Sequence, residues 1–121
     1  MAALTKDAIL IADDLPREAV EIKEWGGTVY VRSMSAAERD EWEASWLADD
    51  GKPKTARERL KNLRARLAVL VLVDEGGNRL FADEDADALG KKSAPALDKV
   101  FAVARRLNGL DAKDVDDLVK N

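Results

Sequence analysis

The sequence contains neither cysteine nor histidine among its 121 residues. The lack of cysteine excludes disulfide bonds, and the lack of both excludes Cys/His zinc sites, Cys or Ser–His nucleophiles and histidine pH switches. The longest apolar run covers only residues 67–73, far short of the roughly 20 residues of a membrane-spanning helix. The N-terminus also lacks a signal-peptide pattern. We therefore expect a cytoplasmic, non-enzymatic protein with no cofactor, no metal and no membrane contact.

Apolar residues make up 46% of the chain and charged residues 36%. The apolar fraction is ordinary for a globular core, and a chain of this length can bury one without disulfides or metals. The sequence predicts a single compact domain over residues 1–121, with an N-terminal helix and β-hairpin in residues 5–32 and a helical region in residues 35–119. This is a mainly α fold with a small β-hairpin (α+β) and about five or six helices.

The N-terminal half carries clear start and turn signals. Thr5 is a candidate N-cap for a short helix, and capping-box patterns at Ser35 and Thr55 predict two more. Residues 19–23 and 28–32 favour strands, and the glycines between them predict a hairpin. The apolar residues of both strands should share one face: Val20, Ile22, Val29 and Val31.

The helix that begins at Thr55 is predicted to be the longest, with a leucine stripe that runs without a turn signal. Residues 68–73 are apolar on every side, which favours a helix buried by its own domain or by a neighbour. Their β-branched residues leave a buried strand as an open alternative. Further helices are predicted over residues 82–90, after the N-cap Ser93, and after Asp111.

Aromatic residues make up only 5% of the chain, and four of them lie in the first 46 residues. Trp and Tyr are favoured anchors in protein interfaces. Trp42 and Trp46 share a helix face at i, i+4 spacing, so they either contact a partner or pack the hairpin onto this helix. The candidate partner-binding residues are Trp25, Tyr30, Trp42 and Trp46, with Val69, Val71 and Val73 from the apolar segment.

Other kinds of site fit the sequence poorly. A calcium loop counted from Asp74 has Gly76 at position 3 and Arg79 at position 6, which the EF-hand pattern does not allow. The glycine pairs lack the Gly-Lys-Ser/Thr ending of a phosphate loop. The basic residues 52–66 could bind nucleic acid, but they line the solvent side of a helix, no aromatic interleaves with them, and the net charge of −4 opposes polyanion binding.

Several segments resemble a known family when their order and spacing are taken together. They are EWGGTVYVR at residues 24–32, MSAAERD at 34–40, DEGGNRLF at 74–81, ALGKKS at 88–93 and RRLNGL at 105–110. They resemble the tail assembly chaperones of long-tailed, siphovirus-type bacteriophages and prophages, over roughly residues 5–119. One departure is Ala82, where the resemblance leads us to expect a Thr or Ser cap.

The resemblance implies a protein that keeps the tape measure protein soluble and recruits tail tube protein, and that is absent from the mature virion. It also implies self-association into a homo-oligomer, and often a longer form made by a translational frameshift. It supplies no catalytic residue. A structural head–tail connector or tail component of the virion is the alternative.

Overall fold

A computed structural model gives the structure of the chain and describes residues 2–110. The helices of this part are α1 (Lys6–Ile11), α2 (Ala36–Ala44), α3 (Ala56–Leu60), α4 (Leu63–Val71), α5 (Ala86–Leu89) and α6 (Ala94–Leu107). The strands are β1 (Arg17–Ile22), β2 (Gly27–Arg32) and β3 (Leu72–Val73), and 3-10 turns cover Lys23–Trp25 and Asp83–Asp85. The predicted mainly helical α+β class is confirmed.

The hairpin forms as predicted, as part of an antiparallel sheet with strand order β1-β2-β3. Val20 lies opposite Val29, so the alternating apolar residues of both strands share one face. On that face Ile22 and Val31 are completely buried. The turn ends at Gly26, whose φ of 73° is a left-handed conformation that glycine adopts without a Cβ clash.

The prediction of one long helix from Thr55 is wrong, because the helix is broken after about its first third. α3 ends at Leu60, and Asn62 adopts a φ of 52° before α4 begins. Asparagine tolerates this left-handed conformation better than most residues. Its side chain also donates a hydrogen bond to Asp87 Oδ1 at 2.9 Å, which fixes the break against the residues that form α5. The longest helix among the described residues is instead α6.

Residues 68–73 divide between helix and strand. α4 continues to Val71, and β3 then pairs with β2, with Val31 opposite Leu72 and Tyr30 opposite Val73. The preference for helix is therefore wrong at the last two residues. The strand is favoured there because it supplies hydrogen-bond partners to the second edge of β2, which would otherwise leave backbone groups unpaired.

The core is centred on α4. Residues 67–73 are all buried, so the domain itself covers the segment that is apolar on every side. The apolar stripe of α6 packs against α4. Leu97, Val100 and Ala104 are buried on this stripe, and Phe101 and Leu107 are half-buried.

Polar contacts join the start of α2 to β2 and to the end of α6. Arg32 donates to both carboxylate oxygens of Glu38, at 2.7 and 2.8 Å. The backbone N–H of Met34 donates to Asn108 Oδ1 at 2.6 Å, and Arg39 donates to the Asn108 carbonyl at 2.8 Å. These hydrogen bonds fix the position of α2, and the aromatic side chain of this helix packs against the core.

The predicted helix starts are confirmed by side-chain caps. Hydroxyl groups accept the N–H three residues ahead at Thr5, Ser35, Thr55 and Ser93. The helix that begins after Ser35, α2, ends at Ala44. Ala82 has no hydroxyl group, and its backbone N–H instead donates to Asp85 Oδ2 at 2.8 Å. The carboxylate of Asp85 therefore caps this turn. The helix predicted after Asp111 lies outside the described residues.

Candidate partner-binding site

Four of the seven predicted partner-binding residues lie inside the folded chain. Trp42 is 2% exposed, and Val69, Val71 and Val73 are at most 3% exposed. A partner could reach these four side chains only if the fold opened. Core packing is a sufficient physical reason for their apolar character, and their contact with a partner stays a prediction.

The other three predicted residues are half-buried and lie in different surroundings. The guanidinium of Arg17 lies 6.0 Å from the ring centre of Tyr30. Trp46 meets Trp42 edge-on, with 6.0 Å between the ring centroids and 78° between the planes. Trp25 lies in the hairpin turn. The structure therefore does not gather the predicted aromatic residues into one patch.

A half-buried arginine, Arg66, lies beside the Trp42–Trp46 pair. The Arg66 guanidinium lies 5.8 Å from the Trp42 ring centre and donates to Ser45 Oγ at 3.2 Å and to the Arg59 carbonyl. Burial lowers the pKa of Arg66. The adjoining cavity measures 180 Å³, less than the usual 300–1,000 Å³ of a ligand pocket. We assign this cluster to the stability of the fold.

An apolar groove opens beside Trp25, at the turn end of the hairpin, with a volume of 640 Å³. The hairpin turn, the segment after β3 and α5 supply its apolar lining, which is formed by Trp25, Leu80, Phe81, Ala88 and Leu89. Asp85 and Lys92 complete the lining. We call this surface the Trp25 groove. Its volume lies within the usual range for a binding pocket, and Leu80 leaves 51% of its surface open to solvent.

Arg79 positions the segment that carries Leu80. Its Nε donates to the Val69 carbonyl at 2.9 Å, and its Nη2 pairs with Asp83 at 2.7 Å. The N–H of Leu80 itself donates to the Leu72 carbonyl at 3.0 Å. This wall of the Trp25 groove is therefore tied to the end of α4 and to β3, and it does not need a ligand to form.

The opposite wall is tied to α6. Glu24 pairs with Lys99 at 3.2 Å, one residue before Trp25. A backbone hydrogen bond, followed by the hydrogen bond from Lys99, lowers the pKa of Glu24. Lys91 and Lys92 follow α5 and are both exposed. Neither forms an ion pair with another residue in the described part of the chain.

Sequence reasoning did not identify the exposed apolar surface of α1. Leu10 is 71% exposed and Ile11 83% exposed, and Leu4 and Ile9 are also exposed. Among the described residues, none of the six that form α1 is buried. The signal was available in the sequence, because residues 8–12 are an apolar run that no charged residue interrupts.

The turn after β3 is formed by hydrogen bonds to the side chain of Asp74. Asp74 Oδ1 accepts the N–H groups of Gly76 and Asn78, each at 2.9 Å. The hydrogen bond from the backbone N–H of Asn78 is the main cause of the lowered pKa of Asp74. Within residues 2–110 no cluster of three or more acidic side chains could hold a metal ion, and no helix there is long and apolar enough to cross a membrane.

Comparisons with known proteins point to one family. A family model described as phage tail assembly chaperone matches residues 6–121 of the chain. Among solved structures, the tail assembly chaperone of bacteriophage HK97 is similar, with a TM-score of 0.60 and 19% sequence identity. The match covers 84% of this chain and 94% of that protein, and at this identity it shows a shared fold. The comparison with curated protein sequences found no match.

Proposed function

Because this chain belongs to the phage tail assembly chaperone family, we propose that it binds the tape measure protein and recruits tail tube subunits to it while the tail is assembled. In this proposal the protein works in the cytoplasm of the host bacterium and is absent from the finished virion. Its function is contact and not catalysis. The Trp25 groove is the surface that carries the contact with the tape measure protein.

The observation that supports this assignment most directly is the exposed apolar lining of the groove. A concave surface with a Trp on one wall and an exposed Leu80 on the other is suited to the apolar face of an amphipathic helix. Trp residues in such sites contribute a large share of the binding energy. Both walls are held by hydrogen bonds and an ion pair, at Arg79 and at Glu24–Lys99, so little ordering cost falls on binding.

Co-expression with the tape measure protein tests the proposal. The wild-type chain should keep the tape measure protein in the soluble fraction, and Leu80→Asp should lower the soluble amount at least several-fold, because it places a charge in the apolar groove. Leu47→Asp is the matched control, because Leu47 is a similarly exposed leucine, at 45%, and does not line the groove. Equal solubility with both variants would show that the groove is not the client site.

The recruitment of tail tube protein and the absence from the virion need a separate measurement. Purified chaperone should retain tail tube protein only when tape measure protein is present on the same column. Mass spectrometry of purified virions should find no stoichiometric amount of this chain. A stoichiometric amount would instead support the structural head–tail connector or tail component.

A further inference from the structure

We propose that the acidic segment of residues 111–119 docks in an apolar groove between α3 and α6 of its own chain. This groove shares no lining residue with the Trp25 groove, and the inference does not depend on the proposed function. Three observations support it: the exposed apolar lining of the groove, the point at which the described part of the chain ends, and the charges of the two surfaces.

The groove lies between the last residue of α3, the start of α4 and one face of α6, and its volume is 520 Å³. Its apolar lining is formed by Leu60, Leu63, Phe101 and Ala102. Leu60 leaves 41% of its surface open to solvent, and Phe101 is half-buried. A contiguous apolar surface of this kind marks a contact site. We call it the α3–α6 groove.

The described part of the chain ends beside this groove. α6 is followed by Gly109, whose φ of 65° reverses the direction of the chain. The Leu110 N–H then donates to the Arg105 carbonyl at 2.8 Å, and Arg105 Nε donates to the Leu110 carbonyl at 3.3 Å. Arg105 itself lines the groove. The segment after Leu110 is therefore tethered next to the groove, which gives it a high effective concentration there.

The sequence of this segment matches the groove in length and in pattern. Its apolar residues fall at i, i+3 and i+4 and so share one face of a predicted helix: Val115, Leu118 and Val119. A helix over residues 112–119 would be about 12 Å long, and the α6 face from Asp98 to Arg105 is about 10 Å long. One such helix can therefore cover the apolar lining along its whole length.

The two surfaces carry opposite net charge. The charged residues that line the groove, and the pocket that adjoins it at Leu60, are Arg57, Glu58, Lys61, Arg64, Asp98 and Arg105. Asp98 pairs with Arg64, and Glu58 belongs to the capping box of α3. The other three cations form no ion pair with another residue of the described part of the chain. Residues 111–121 contain four aspartates and two lysines, so the segment supplies carboxylates to these cations.

Hydrogen exchange of the full-length chain tests the inference. In the wild type the amides of residues 113–119 should exchange at least about ten-fold more slowly than in Leu118→Asp, which places a charge on the docking face. Two groove variants on different helices, Leu60→Asp and Ala102→Glu, should remove the same protection. Leu47→Asp is the matched control and should leave it unchanged, because Leu47 is 45% exposed and does not line the groove.

Three further measurements identify the contact. Added salt should speed exchange in the segment, because exposed ion pairs are screened. Dilution should leave exchange unchanged, because the contact lies within one chain. The double variant Leu60→Asp/Leu118→Asp should lose no more protection than either single variant, since both changes break the same contact.

The inference is overturned if residues 113–119 exchange as fast in the wild type as in Leu118→Asp. Protection that survives in the groove variants, when circular dichroism shows them folded, would also overturn it. So would protection that falls on dilution, because the segment of another copy would then occupy the groove. Ala102 is exposed, so Ala102→Glu should fold and decides the test if Leu60→Asp does not.

Discussion

The helices α1 and α6 begin with the same kind of N-cap, but the surroundings of their apolar side chains are opposite. Each starts at a hydroxyl N-cap, Thr5 or Ser93, that accepts a backbone N–H. The apolar stripe of α6 is buried against α4, whereas the apolar side chains of α1 face solvent. The comparison shows that capping and hydrophobic pattern predict where a helix begins. They do not predict whether its apolar side becomes core or contact surface.

The largest difference between the two helices should appear when a leucine is truncated. Leu97→Ala should lower the free energy of unfolding by about 2–5 kcal/mol, because it leaves a cavity at a side chain that is only 4% exposed. Leu10→Ala should change it by less than about 0.5 kcal/mol, as expected for a surface position. Urea denaturation at a concentration where the chain is monomeric measures both. Similar losses for the two variants would mean that α1 packs on its own domain.

A smaller difference is expected when the caps are removed. Ser93→Ala should cost about 0.5–2 kcal/mol of global stability, the usual effect of losing an N-cap. Thr5→Ala should leave the global unfolding free energy unchanged, since α1 can open without the core. Hydrogen exchange should then show faster exchange confined to the amides of α1. Global destabilisation by Thr5→Ala would contradict the comparison.

The smallest effect concerns pH, through the ion pair that ties the hairpin turn to α6. The pKa of Glu24 is lowered in the folded chain. Its contribution to stability is therefore complete above the unfolded pKa and is lost as the pH falls through the folded pKa. Glu24→Gln should be slightly less stable than wild type at pH 7, and the two should converge once the pH falls below the folded pKa of Glu24.

Lys99→Gln is the matched variant for this prediction, because it removes the partner of Glu24 and leaves the carboxylate in place. It should also reduce stability slightly at neutral pH, as expected for an exposed ion pair. Thermal melts over a series of pH values measure both variants. A difference in stability between wild type and Glu24→Gln that grows toward acid pH would contradict the assigned direction of the Glu24 pKa shift.

Features encoded by neighbouring residues were predictable from the sequence. The hydroxyl caps, the Gly26 turn and the alternation that aligns Val20 with Val29 are all local patterns, and each is present in the structure. The break at Asn62 was not predictable, because leucine spacing continues across it and the residue that holds its side chain, Asp87, is distant in sequence. The choice between helix and strand at β3 stayed open for a similar reason, since only the unpaired edge of β2 selects a strand there.

The candidate site was predictable only in part. Trp25 was identified from the concentration of aromatic residues, but Leu80 and Leu89 join it only through the tertiary fold. The burial of Val69 and Val71 likewise depends on the elements around α4. A segment that is apolar on every side is predicted to be buried. Nothing in the sequence shows whether the same chain or a neighbouring chain buries it.

The pairing of β3 with β2 has a consequence for synthesis on the ribosome. Tyr30 and Val73 are partners in the sheet but lie 43 positions apart in the chain. At a translation rate of roughly 5–20 residues per second, the hairpin emerges about 2–9 s before the strand that covers its second edge. During that interval the backbone groups of β2 are open to any extended segment nearby. The nascent chain is therefore most exposed to mispairing while α2, α3 and α4 are being made.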